Sequence, residues 1–213
     1  MTEFKISNIK IDNWIVVAFV THDTVYELEL AQHLLPSLEK IGLPHYIEVI
    51  DNKGSWLKNV AEKPAVAYRA LEKYPSKNII LLDADSEILE YPKLFNEIPE
   101  EYDLACHFLE WESWYGYKGD KTKELLSGTM FLRNNDKIKE LCKQWYDRAN
   151  NNHEWEQKSL ASVIVNSEVK IFSLPLSYCY IKTLPSGEEP IVKIDNPTIV
   201  HFQASRRYKK VIK

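Results

Sequence analysis

Two aspartates one residue apart, Asp83 and Asp85, close the apolar run Asn78-Ile-Ile-Leu-Leu82. Side chains alternate along extended chain, so positions two apart project from the same side and their carboxylates can share one ion. Mg²⁺ and Mn²⁺ are hard cations that prefer oxygen ligands, keep several waters and bridge one or two carboxylates to substrate phosphates. A strand-end Asp-x-Asp is on these grounds a grip for a metal-bound diphosphate. The same residues also serve simply to begin a turn or cap the next segment, so the reading depends on what element ends there.

The elements upstream supply that context. Trp14-Ile-Val-Val-Ala-Phe-Val20 has the continuous β-branched and aromatic character of a strand buried on both faces. Thr24-Val-Tyr-Glu27 is a capping-box pattern, and Leu28, Ala31, Leu35 and Leu38 follow at helical spacing as far as Gly42 and Pro44. Pro36 is expected to kink or split that helix. His45 to Ile50 reads as a second strand closed by the turn Asp51-Asn-Lys-Gly54. Pro64 suits a helix first turn, Ala65 to Tyr74 are good helix formers, and Pro75 ends the helix before the third strand. The order β-α-β-α-β argues for a parallel half-sheet with right-handed crossovers, whose ligands lie outside the carboxyl ends of the strands. Asp83 and Asp85 fall at that edge.

Beyond it the pattern becomes mixed. Strands are expected at 103–108 and 128–133, a helix capped by Asn135 with the stripe Ile138, Leu141, Cys142 and Trp145, and a second helix from Trp155 to Val165. Short strands are expected near 169–172 and 198–201. Between the first two of these strands lies an aromatic stretch, Trp111, Trp114, Tyr115 and Tyr117 with Gly116 and Gly119, which reads either as core or as a platform on which an acceptor sugar stacks.

With 213 residues, 45% apolar and 27% charged, the chain can bury a sizeable core as one domain followed by a basic tail at 205–213. A net charge of −4 speaks against wholesale nucleic-acid binding. Three widely spaced cysteines without a CxxC pair suggest neither a disulfide framework nor a zinc site, and fit a reducing compartment. No leader pattern and no run of about 18 apolar residues occurs, which points to a soluble, cytoplasmic chain whose role at any membrane would be peripheral. Arg206 and Arg207 in the tail are either solvated charges or a lid over a diphosphate, since a guanidinium fork matches phosphate oxygens.

Taken in order, the first strand with its polar exit, Gly54-Ser-Trp56 with Lys63-Pro64, and Ile80-Leu-Leu-Asp-Ala-Asp-Ser86 resemble the nucleotide-diphospho-sugar transferases of the GT-A fold. Ser127-Gly-Thr-Met-Phe-Leu-Arg-Asn134 resembles their Ser/Asn-Gly strand along the sugar pocket, Trp155-Glu-Gln-Lys-Ser-Leu160 their acidic-Gln pair opening a helix, and Val200-His-Phe202 their late His strand. The resemblance implies a single GT-A-like α/β domain with a Rossmann-like, mostly parallel central sheet flanked by helices and a mixed C-terminal half. Residues 1–100 would then bind nucleotide and 101–204 the sugar and acceptor. It also implies that Asp85 and His201 coordinate Mn²⁺ or Mg²⁺, with Asp83 reaching the metal through water or the ribose. Thr21, Asp23 and Tyr26 would cradle the base and ribose, Lys63 and Arg206 approach the phosphates, and Ser127 and Gly128 line the sugar pocket. Glu156 and Gln157 would contact sugar hydroxyls, or Glu156 would act as base toward the acceptor hydroxyl. By analogy the donor base is uracil. The acceptor stays open among a glycan, a lipid-linked sugar, a protein and a modified nucleic-acid base.

Three rival readings share parts of this pattern. A haloacid-dehalogenase-like phosphatase also carries Asp-x-Asp after an apolar strand, but that motif opens its sheet, whereas two strands precede it here. A nucleotidyltransferase would place a Gly-rich basic loop where Thr21-His-Asp-Thr24 stands. A non-catalytic module that holds a nucleotide sugar or carbohydrate would keep the fold without turnover.

Overall fold

The computed structural model describes residues 12–110, 112, 123–182 and 192–205. Among these residues nine strands form in chain order: β1 (Trp14–Thr21), β2 (His45–Ile50), β3 (Asn78–Leu82), β4 (Ser86–Ile88), β5 (Leu104–Leu109), β6 (Glu124–Leu132), β7 (Ile171–Ser173), β8 (Tyr180–Ile181) and β9 (Ile199–His201). Six of them make one sheet in the order β2-β1-β3-β6-β5-β7, and the other three a small sheet β4-β9-β8. In the large sheet β1 lies parallel to β2 and β3, β5 lies parallel to β7, and β6 runs antiparallel to both β3 and β5. The sheet is therefore mostly parallel, as expected, with β6 reversed at its middle.

The continuous apolar character of β1 and β3 follows from burial on both faces. Ile15, Val17, Ile79 and Leu81 pack on one side under helices α4 (Lys63–Lys73) and α5 (Asp136–Asn151), against Val66, Leu71, Leu141 and Trp145. Val16, Ala18, Val20, Ile80 and Leu82 face the other side, against Leu34, Leu38, Phe95 and Phe131. The stripe read from Ile138, Leu141, Cys142 and Trp145 is the buried face of α5, and Asn135 caps that helix by accepting from Ile138 N at 3.0 Å.

The first helix splits around Pro36. Helix α1 (Val25–Glu29) passes into a π-helical turn (Leu30–Leu34) and then α2 (Leu35–Ile41), with Leu35 N–H donating back to Leu30 O. The wider turn places Pro36 in the second position of a new helical segment, where its missing N–H is tolerated. Neither bond of the expected capping box forms. Thr24 Oγ1 donates to Thr21 O at 2.8 Å instead of capping the helix, while Glu27 Oε2 accepts from Asp23 N at 3.1 Å. Gly42, at φ 76°, closes α2 in the left-handed conformation that only glycine adopts without cost.

The short helix α3 (Trp56–Val60), β4, β8 and two 3-10 turns (Lys93–Asn96 and Leu176–Tyr178) lie outside the expectation. Strand β6 also begins four residues earlier than expected, at Glu124. Its pairing with β5 shifts register at Cys106/His107, opposite Leu126 to Met130, and the intervening Ser127, Gly128 and Thr129 have no partner on β5, while Thr129 stays paired with Leu82 of β3. Bulges of this kind re-aim side chains. All three cysteines are free and buried, and no described helix is long and apolar enough to cross a membrane. Trp111, Trp114, Tyr115, Gly116, Tyr117 and Gly119, and the tail from Arg206 onward, lie outside the described residues.

Candidate active site

At the carboxyl end of β3 the chain turns sharply. Asp83 N–H donates to Gly128 O at 3.0 Å, and the Ser86 hydroxyl and amide both donate to Asp83 O, at 2.7 and 3.2 Å. This turn presents Asp83 and Asp85 together. Strand β9 pairs Ser86 with His201 and so sets the imidazole beside them. One ligand atom from each of Asp83, Asp85 and His201 lies within 4.8 Å of the others. The chain just after β9 closes over Asp85, with Phe202 N donating to its backbone oxygen at 2.9 Å and Ala204 N to its Oδ2 at 2.5 Å. Gly128 forms the floor. A Cβ there would stand 2.9 Å from His201 Cε1 and 3.2 Å from Asp83 Oδ2, so the ligand set closes tightly only over glycine.

The protonation states suit a cation. Burial, reinforced by the Asp83 charge, pushes the Asp85 carboxyl up to about 7. Asp85 is buried beside a second carboxylate, and the nearby ammonium of Lys63 contacts Asp83 instead, so a divalent ion would supply the charge that Asp85 lacks. Burial and the nearby Lys63 depress His201 to about 4 against the pull of Asp83, keeping the imidazole neutral, the form in which it binds metal. Thr129 Oγ1 engages His201 Nε2 at 2.8 Å, so Nδ1 is the nitrogen that could bind a metal. Two carboxylates and one imidazole fit Mn²⁺ or Mg²⁺ with coordination sites left for water and phosphate.

Behind this wall Lys63 is 2% exposed. Its Nζ donates to Asp83 Oδ1 at 2.6 Å and Ser127 O at 2.8 Å, with Glu156 Oε1 and Ser127 Oγ each at 3.4 Å. Burial alone would lower its pKa, but Asp83 and Glu156 hold it above the usual lysine value. Glu156 opens helix α6 (Glu156–Ile164), is 4% exposed, and accepts from Ser127 Oγ at 3.0 Å. Burial raises its pKa, opposed by Lys63. Trp145 Nε1 donates to Glu156 O at 2.7 Å and ties α6 to α5. Gln157 Oε1 accepts from Ser127 N at 3.1 Å, and its amide nitrogen donates to Glu124 Oε1 at 2.8 Å.

These groups line a cavity of about 300 Å³ at the carboxyl edge of the sheet. Of the residues singled out from sequence, Thr21, Tyr26, Asp83, Asp85, Ser127, Gly128, Glu156, Gln157 and His201 meet there. Lys63 sits beneath the lining, bonded to it. Asp23, exposed and at φ 57°, lies outside the lining, and Arg206 lies outside the described residues. Among the lining residues that escaped the sequence reading as site residues are Trp56, Trp155 and Glu124. Trp56 Nε1 donates to Tyr26 Oη at 2.9 Å, and its ring centroid lies 6.2 Å from that of Trp155. Trp155 stands immediately before the acidic-Gln pair and was legible from that position. Nothing in the sequence marks Glu124.

The family described as nucleotide-diphospho-sugar transferase matches the chain over residues 10–211. No curated protein matches it in sequence. Among solved structures, a glycosyltransferase involved in glycosylation of the major capsid of PBCV-1 aligns with a TM-score of 0.66 at 16% identity, covering 93% of this chain and 98% of that one. Apo GlyE, a glycosyltransferase of Streptococcus pneumoniae, aligns with a TM-score of 0.60 at 14% identity over 91% of this chain and 55% of its own length. The bifunctional glycosyltransferase WbbM aligns with a TM-score of 0.53 at 9% identity, over 93% of this chain and 47% of that one. This chain thus spans about half of the latter two proteins.

Proposed function

The chain belongs to the nucleotide-diphospho-sugar transferase family, and from that premise we propose that it transfers a sugar from a UDP-sugar to an acceptor hydroxyl with Mn²⁺ or Mg²⁺ held by Asp83, Asp85 and His201. The convergence of those three ligand groups within 4.8 Å in the cavity wall is the observation that carries the reading. A divalent ion bound there neutralises the charge that develops on the departing nucleoside diphosphate.

The chain's own residues divide the remaining work. Tyr26 and Thr21, at the exit of β1, offer a stacking face and a hydroxyl to the base and ribose, and the hydrogen bond from Trp56 fixes the Tyr26 ring. Ser127 and Gly128 let the donor sugar approach the metal closely, because glycine adds no side chain to the floor. Lys63 positions Asp83 and Glu156 from behind and balances their charge. Gln157, oriented by Ser127 N, directs its amide N–H groups toward the sugar side of the cavity. The phosphatase rival falls with the family assignment, and the enzymatic character of the family stands against a purely binding role.

The test is a thermal-shift panel of UDP, GDP and UDP-sugars with Mn²⁺, Mg²⁺ or chelator, on the wild type and Asp85→Asn. A metal-dependent rise in melting temperature with UDP, lost in the variant, supports the reading. A rise that persists with chelator or in Asp85→Asn sinks the metal assignment.

A further inference from the structure

Four carboxyl side chains line the cavity, Asp83, Asp85, Glu124 and Glu156, and among the described residues no lysine or arginine does. The nearest cation, Lys63, is buried behind the wall with its ammonium taken up by Asp83, Ser127 and Glu156. Asp83 and Asp85 are committed to the metal in the reading above, and Glu156 is held by Lys63 and Ser127.

Glu124 differs from all three. It is half-buried at the start of β6, and its contact is with a neutral amide. The orientation of that amide is decided by the backbone. Because Ser127 N–H needs an acceptor, Gln157 must turn Oε1 inward and Nε2 outward, onto Glu124 Oε1. One carboxylate oxygen is thereby fixed, and lone pairs remain to accept from a ligand.

Resting on the transferase reading, we propose that Glu124 faces the donor sugar and restricts the donor to neutral sugars, excluding those that carry a carboxylate. A sugar hydroxyl donates to a carboxylate in a charge-assisted hydrogen bond. A uronic acid in the same place would set two carboxylates together in a cavity with no free cation among the described residues, and like charges so juxtaposed repel strongly. The diphosphate and metal are common to every donor and cancel in the comparison, so selectivity rests on the sugar end alone.

The experiment measures dissociation constants, by calorimetry with Mn²⁺, for UDP, UDP-glucose, UDP-glucuronic acid, UDP-galactose and UDP-galacturonic acid on the wild type and Glu124→Gln. In at least one matched pair the neutral sugar should bind at least about tenfold tighter than its acid, and Glu124→Gln should narrow that ratio chiefly by improving the acid. Equal binding within both pairs, or a ratio unchanged in Glu124→Gln, overturns the proposal. UDP itself is the control for the underlying reading. If UDP binds in a metal-dependent way and the pairs do not separate, the donor site stands and the sugar selectivity fails. If UDP does not bind, the premise falls and this proposal falls with it.

Discussion

Replacing Lys63 with methionine removes the one cation that Asp83, Glu156 and Ser127 O share, while keeping a side chain of similar length. Breaking a buried ion network from one side costs about 3–5 kcal/mol, because the remaining charge stays buried without compensation. Asp83, whose side chain is 40% exposed, recovers part of its solvation, so its share of that cost is discounted. Glu156, at 5% side-chain exposure, recovers almost none and carries most of the penalty. For a chain of this size each kcal/mol lowers the melting temperature by about 2–4 °C, so the loss should be roughly 6–20 °C. The pH dependence has a definite sign. Without Lys63 the folded-state pKa of Glu156 rises further above its unfolded value, so the penalty is full at pH 8 and shrinks as the pH falls and the carboxyl takes up a proton. Pairing the change with Glu156→Gln removes the stranded charge, and the double variant should melt above Lys63→Met alone. Melting curves of the apo protein, recorded by circular dichroism at pH 5 and pH 8, read all of this. A Lys63→Met variant that melts within about 2 °C of wild type at both pH values, or a double variant that melts lower still, refutes the network argument.

Asp85→Asn should raise the melting temperature of the metal-free protein at pH 8 and leave it unchanged near pH 4. The wild-type carboxyl, raised to about 7 by burial and Asp83, favours folding while protonated and loses that contribution as the pH climbs to 7; a chelator-treated melting series decides. Gly128→Ala should keep the fold, since its added methyl meets a side chain and not the backbone, yet weaken metal binding about tenfold or more by displacing His201 and Asp83. Calorimetric titration with Mn²⁺ checks it, and unchanged affinity would mean that the ligand set does not close over Gly128.

How much of this architecture the sequence carried depends on element length. β2 and β3 begin and end at His45, Ile50, Asn78 and Leu82 as read, because each is a dense apolar run between turn residues. β4 and β8, of three and two residues, are too short to hold any periodicity, and they exist because β9 pairs with both. The early start of β6 was hidden for another reason: Ser127 and Gly128 interrupt its apolar pattern where the bulge lies. Helix α3 follows a turn that was read, but with Ser55 capping it at 3.4 Å and only five residues it gave no helical stripe.

The site follows the same logic at the level of side chains. Asp83 and Asp85 were legible because they follow an apolar strand at the sheet's carboxyl edge, although a turn and not strand alternation brings them together, and His201 was singled out through the resemblance of Val200-His-Phe202 to a late His strand. Lys63 was singled out too, but its burial, like the place of Glu124 in the cavity wall, depends on residues far away in the chain. A lysine in a helix first turn reads as solvated or as a phosphate contact; here the approach of β3, β6 and α6 buries it. That burial has a consequence for the chemistry. A cation locked to Asp83, Ser127 and Glu156 joins the turn after β3 to the start of α6 through a single ammonium. In the proposed reading, the carboxylate that would hold the metal and the helix that carries Glu156 and Gln157 are therefore tied together through one ammonium.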